Sequence, residues 1–391
     1  MKIGLNRMPN TSTNKLFLIS KMKYTIIILI MIIVACEDKK ATPQNEKIGG
    51  FIFDGPSKPP IKVDMVSKMK DFNANWMAIT PEAFTYHQDL SVQTFHDSGN
   101  WYSETYEGSI VTSNLAKEMG LKVMLKPHLT FLDDLSEFKE PKVDFSNQTE
   151  FNRYVEKRKE YINSLQRKTK GTWRGDFDVI NESEWPIWEN QHSKFILDCA
   201  KIADSLELDM LCIGTELSIS AIKRENYWRN LIKQVREIYP GPLTFSANWN
   251  NYSNIKFWDD LDYIGISAYF PLSEVQDASN SQIKQNWQSY FEKIKSLSSK
   301  FNKPILFTEY GYPSGPTAAQ KPWRDSKNFP EFHELQYNLY KVLYNQFWNE
   351  SWFAGGFIWK WKYTNTGEST AYSPQGKRAE EIIKQWYKQK K

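Results

Sequence analysis

Short apolar runs alternate with helix-patterned stretches along this chain of 391 residues. The runs fall at 48–54, 76–80, 121–128, 209–215, 243–249, 262–269, 304–308 and 353–361. A continuous apolar run bounded by turn signals reads as a strand covered on both faces. Strands separated by helices lie parallel, and eight such units predict a closed (β/α)8 TIM barrel over residues 48–391. Helices are expected near 61–73, 109–119, 188–206, 227–239, 283–301, 334–348 and 375–387. Two long insertions remain, 81–108 after strand two and 129–190 after strand three; the latter has a helical pattern over 150–168. The former carries Phe84, Tyr86, Phe95, Trp101, Tyr102 and Tyr106, which either extend a cleft or pack the insertion down. A doubly wound open sheet would place a glycine-rich phosphate turn after the first strand; Gly49-Gly50 precedes its body instead.

The start of the chain has a different character. Residues 1–35 hold Lys2, Arg7, Lys15, Lys21 and Lys23 and no acid, so removing them takes the formal charge from +4 to −1. That leaves no electrostatic footprint for nucleic acid. Thr25–Ala35 is an apolar run of 11 residues, the length of a signal-peptide core and short for a membrane span. Ile33-Val34-Ala35-Cys36 resembles a bacterial lipobox, which implies cleavage before Cys36 and a lipid on its thiol. The alternative is an ordinary secretory signal. Residues 36–47 are polar and are expected to form a flexible tether. A protein held by its lipid at the bacterial cell envelope, facing the periplasm or the cell surface, is the expected location. Cys199 and Cys212 lie in apolar surroundings and read as buried free thiols.

Two of the runs end alike: Gly214-Thr215-Glu216 after strand four and Phe307-Thr308-Glu309 after strand seven. In a parallel barrel the C-terminal strand ends line one mouth, so the two carboxylates can face each other. Glycoside cleavage needs such a pair, one protonated to serve the leaving oxygen and one ionised to attack the anomeric carbon. Surroundings must then push their pKa values apart. Either acid alone reads better as a helix N-terminal stabiliser; the matched positions favour catalysis. Asn181-Glu182 is a rival pair of letters, but it reads as the entry to a helix.

Position supplies the other candidates. Tyr269 ends strand six and either holds the Glu309 carboxylate or packs at the rim. His128 ends strand three, where it either meets a sugar hydroxyl or is structural. Asn248 and Trp249 end strand five, where an amide and an indole suit hydroxyls and a sugar face. Trp359 and Trp361 share one side of strand eight if alternation holds, and one of them would floor the site. Tyr312 follows the second acid. Aromatic residues make up 15% of the chain, which suits flat sugar faces. The histidines and cysteines show no metal-ligand spacing, and neither a nucleophile elbow nor a phosphate loop is present. No cofactor is expected.

Residues 124–129, 173–175, 209–218, 258–271, 306–312 and 352–361 resemble glycoside hydrolase family 113, in order, from about residue 48 to the C-terminus. The resemblance implies a retaining β-mannan hydrolase with Glu216 as acid/base and Glu309 as nucleophile. One departure is Thr215, where many members of the wider clan carry an asparagine that meets the sugar 2-hydroxyl. The expectation is therefore an endo-acting β-1,4-mannanase working by double displacement on a β-linked polysaccharide. The alternatives are an exo-acting β-mannosidase, a hydrolase of another β-glycan, or a non-catalytic carbohydrate-binding lipoprotein.

Overall fold

The structure is a computed structural model that describes residues 46–94, 101–141, 143–144, 146–276, 278–364 and 371–389. Cys36 and the signal-like segment fall outside the described residues. Asn45–Lys391 form one compact unit. Lys47, the last residue of the expected tether, donates from Nζ to Glu350 O at 2.7 Å and so belongs to the folded body.

In chain order the strands are β1 Ile48–Asp54, β2 Trp76–Ile79, β3 Glu82–Tyr86, β4 Val92–Thr94, β5 Lys122–Leu125, β6 His128–Leu132, β7 Thr169–Lys170 and β8 Asp178–Val179. They continue with β9 Met210–Thr215, β10 Leu243–Asn248, β11 Ile264–Ser267, β12 Ile305–Tyr310 and β13 Phe353–Lys362. Eight of them close into a parallel barrel in the order β1-β13-β12-β11-β10-β9-β5-β2. Every predicted barrel strand is there. The barrel interior is filled by Ile48, Ile52, Trp76, Met124, Met210, Cys212, Leu306 and Phe357; a larger apolar layer lies between strands and helices. Bulky inward side chains make this a packed core rather than a pore.

The helices are α1 Asp64–Ser67, α2 Tyr106–Glu118, α3 Gln148–Ser164, α4 Trp185–Ser205, α5 Ser218–Lys223, α6 Glu225–Ile238, α7 Asn280–Phe301, α8 His333–Phe347 and α9 Ala379–Tyr387. Their ends follow local chemistry. Thr105 caps α2 by accepting from Gly108 N, and Ser279 with Gln282 forms a capping box on α7. The helix expected at 61–73 is only α1 followed by a 3-10 turn over Lys68–Phe72. Between β10 and β11 the chain makes two 3-10 turns, Tyr252–Asn254 and Phe257–Asp260, in place of a helix.

The two insertions are not separate. β3, β4 and β6 form one small sheet, with β3 pairing parallel to β6 through Glu82↔His128, Phe84↔Thr130 and Tyr86↔Leu132. Pro127 interrupts the run expected at 121–128, so the chain leaves the barrel as β5 and resumes as β6 in the small sheet.

Candidate active site

The strand ends surround a cleft of about 800 Å³, within the range of small-ligand sites, whose lining includes Glu216, Glu309, Asn248, Trp249, Tyr269 and Trp359. Both candidate acids therefore face one cavity. Glu309 lies inside β12, opposite Ser267 of β11, and is 8% exposed. The Tyr269 hydroxyl donates to its Oε1 at 2.7 Å. Burial, and then the Glu309 charge, hold that phenol well above its usual range, so it stays a donor. Lys126 Nζ donates to Glu309 Oε2 at 2.8 Å, and this lysine is fully buried.

The same ammonium lies 2.8 Å from His128 Nε2. Burial first, and then the charges of Lys126 and Arg174, push the His128 ring well below its ordinary pKa. The neutral ring accepts from Lys126 and stacks on Trp359 at 6.2 Å between centroids. His128 does not line the cleft. It braces the lysine and the tryptophan from behind, in place of the sugar contact read from sequence. The reason is that Pro127 turns the chain from β5 into β6, which carries the ring out of the cleft lining.

Glu216 is held differently. It follows β9 with φ +56°, a left-handed conformation that side chains other than glycine adopt rarely and that concentrates at functional sites. Its N–H donates to Ser246 O at 2.7 Å, and Asn248 Nδ2 donates to its Oε1 at 3.0 Å. Burial raises its pKa, the Glu309 charge raises it further, and Arg174 and Lys126 oppose. Thr215 turns its hydroxyl to Pro127 O at 3.0 Å and does not line the cleft. Beneath the acids, Ser246 Oγ bonds Ser267 Oγ at 2.9 Å and Thr308 Oγ1 at 2.7 Å. These hydroxyls tie β10, β11 and β12 together under the residues they carry.

Trp359 reaches the cleft, but Trp361 does not. Trp361 is 1% exposed, packs on Phe51 and Phe72 and donates to Met65 O at 2.9 Å. Phe51 pairs with Ile358 while Phe53 pairs with Trp361, so β13 has an extra residue here. Such a bulge re-aims side chains, and the assumption of strict alternation fails at this point. Gly311 allows the approach of the neighbouring strand, since a Cβ there would lie 2.5 Å from Trp359 O. Tyr312 is also buried away from the cleft, edge-on to Tyr340 at 5.2 Å; it follows Gly311 into the helix layer. Asn181 caps a 3-10 turn and Glu182 pairs with Lys223 at 2.9 Å, and neither lines the acids' cavity.

The sequence reading missed several lining residues. Trp173 and Asp176 come from a tight turn closed by Asp176 N to Trp173 O at 2.9 Å. Trp323 stacks on Trp249 at 5.4 Å and 18° and keeps one face open. Asn250, Lys360, Asp325 and Tyr372 complete the wall. The signals available were a lysine ending the buried run before Pro127, and an arginine and tryptophan in Trp173-Arg174-Gly175.

The fold is shared with known enzymes. A β-1,4-mannanase of family 113 is 24% identical with a TM-score of 0.66, over 88% of this chain and 99% of that one. The β-mannanase of Alicyclobacillus acidocaldarius is 21% identical with a TM-score of 0.67, over 88% and 98%. A β-glucuronidase of Faecalibacterium prausnitzii is 13% identical with a TM-score of 0.54, over 88% of this chain and 49% of that one. No curated protein sequence matches. The model of Glycoside Hydrolase Family 113 matches residues 159–377, more than half of the chain. The chain therefore belongs to glycoside hydrolase family 113 and is a glycosidase.

Proposed function

We propose that this glycosidase cleaves β-mannosidic linkages in mannan or manno-oligosaccharides with retention of configuration. The observation that carries the reading is the pair of acids on one cavity in unlike surroundings. Glu309 is ion-paired to Lys126, and Glu216 is pushed toward its protonated form by burial and by the Glu309 charge. That division is what double displacement requires. Glu309 attacks the anomeric carbon while Glu216 passes its proton to the glycosidic oxygen, and the bond to the leaving sugar breaks. A water then gives its proton to Glu216 and attacks the same carbon, which frees the Glu309 carboxylate.

Asn248 positions Glu216, and Tyr269 with Lys126 positions Glu309. Trp359 floors the reacting sugar, and the Trp249–Trp323 pair offers a face to the leaving side. Support for mannose comes from the structurally similar family 113 enzymes, which are β-mannanases. The test is hydrolysis of β-mannan and mannohexaose with the anomer of the first product read by NMR. Mixed oligosaccharides of β configuration are expected. Free mannose alone would favour an exo-acting β-mannosidase, and an α product would overturn the mechanism.

The envelope location is proposed on the basic, apolar and lipobox-like pattern before Cys36. No helix among the described residues is long and apolar enough to cross a membrane. Labelled palmitate should enter the whole protein in a bacterial host and be lost in Cys36→Ala; equal labelling of both would sink the anchor.

A further inference from the structure

The aromatic insertion builds another cavity, of about 460 Å³, that the reaction above does not use. Its wall is the open face of the small sheet, with Phe84 and Tyr86 from β3 and Thr130 from β6. Trp101 stands at the rim, 55% exposed, in a left-handed conformation with φ +69°. Exposing so large an indole from a strained backbone position needs an explanation, and ligand-gripping segments are where such positions collect. Two carboxyls, Glu82 and Glu104, lie among these rings. Glu82 accepts from Thr130 Oγ1. Glu104 is pushed up to about 8 by burial and by the charges of Glu82 and Asp54, with Lys360 opposing. It therefore keeps its proton at neutral pH, and its carboxyl can both donate and accept.

The cavity adjoins the cleft. Lys360, whose charge acts on Glu104, lines the cleft and pairs with Asp54 at 2.7 Å. Around the barrel, β1 lies across from β10, the strand that ends at Asn248 beside Trp249. Glu216 follows β9, so the leaving sugar departs on the β9–β10 side. The aromatic cavity is built on β3, which follows β2, and β1 and β2 lie across the barrel from β10 and β11. Residues 82–132 lie outside the 159–377 covered by the family match.

We infer that this cavity receives the sugars on the non-reducing side of the cleaved bond, with Trp101 as stacking platform and the carboxyls of Glu82 and Glu104 bonding ring hydroxyls. This rests on the mannan reading. The occupant is a neutral hexose: among the described residues the lining holds no cation that would pair with a uronate.

The test uses the full chain in the catalytically silent Glu309→Ala background, titrated calorimetrically with mannohexaose. Adding Trp101→Ala or Glu104→Ala should weaken binding about tenfold each, the loss of one stacking or hydrogen-bonding contact. In the active enzyme, kcat/KM should rise with oligosaccharide length, and each variant should flatten that rise. Variants that bind mannohexaose as tightly as their parent overturn this inference alone. A parent that neither binds nor cleaves mannohexaose overturns the mannan reading and this inference with it. Trp101 is exposed, so its truncation leaves the apolar core whole, and thermal melts of both variants check the fold.

Discussion

Glu309 and Glu216 share one cavity but are held by different kinds of group. Glu309 is an extended residue inside the ladder of β12, gripped by a phenol and an ammonium. Glu216 lies one residue past β9 in a left-handed conformation and receives a side-chain amide. The first environment fixes a charge in place. The other withholds solvent, adds a like charge and leaves the proton where a leaving oxygen can take it. The pair works because the fold makes the two acids unequal.

The largest effect should come from deleting either acid. Glu309→Ala and Glu216→Ala should each lower kcat on mannan on the order of 10⁴-fold or more. A substrate with a strongly activated leaving group separates them. It needs no proton, so Glu216→Ala should keep its first step while Glu309→Ala should not, as read by the burst of released phenol. Equal loss in both would erase the distinction between the two surroundings.

Lys126→Met comes next. It leaves the Glu309 carboxylate buried without its cation, a change that costs about 3–5 kcal/mol when a buried pair is broken. Activity and melting temperature should both fall. Tyr269→Phe removes one hydrogen bond to a charged group, about 1.5–3 kcal/mol, so kcat/KM should drop roughly 10- to 150-fold with little change in stability.

The two tryptophans of β13 test the same contrast between cleft and core. Trp361→Ala should cost about 3–5 kcal/mol of stability as a core truncation, measured by denaturant unfolding. Trp359→Ala should instead raise KM and spare the melt. The smallest effect is a titration. Replacing Glu309 by Gln removes the like charge beside Glu216, so the Glu216 carboxyl should titrate at lower pH than in the parent. Lys126→Met removes an opposing cation, so it should titrate higher. Carbon-13 NMR of the carboxyl reads both, and no movement in either variant would contradict the coupling.

Much of the architecture was legible in the letters. The eight apolar runs became the eight barrel strands because a strand covered on both faces has no polar side to disguise it. Burying a carboxylate is costly, which made Thr215-Glu216 and Thr308-Glu309 conspicuous at strand ends. The helices expected at 109–119 and 283–301 formed but each starts three residues earlier, at the caps Thr105 and Ser279 that periodicity did not mark, and at 61–73 a short helix and a 3-10 turn replaced the helix. The site was legible only in part. Glu216, Glu309, Asn248, Trp249, Tyr269 and Trp359 line one cleft, whereas His128, Tyr312 and Trp361 do not.

The chain by itself determined the periodicity, and so the barrel, because covering apolar strands with helices is a property each segment carries alone. Tertiary structure decided what crosses between segments. One extra residue in β13 turned Trp361 into the core. Pro127 turned His128 out of the cleft lining, and β3 met β6 to make one sheet from two insertions. The twin Thr-Glu pairs received opposite backbones, left-handed at one and extended at the other. Each of these outcomes depends on partners remote in sequence, and a local pattern carries no information about them.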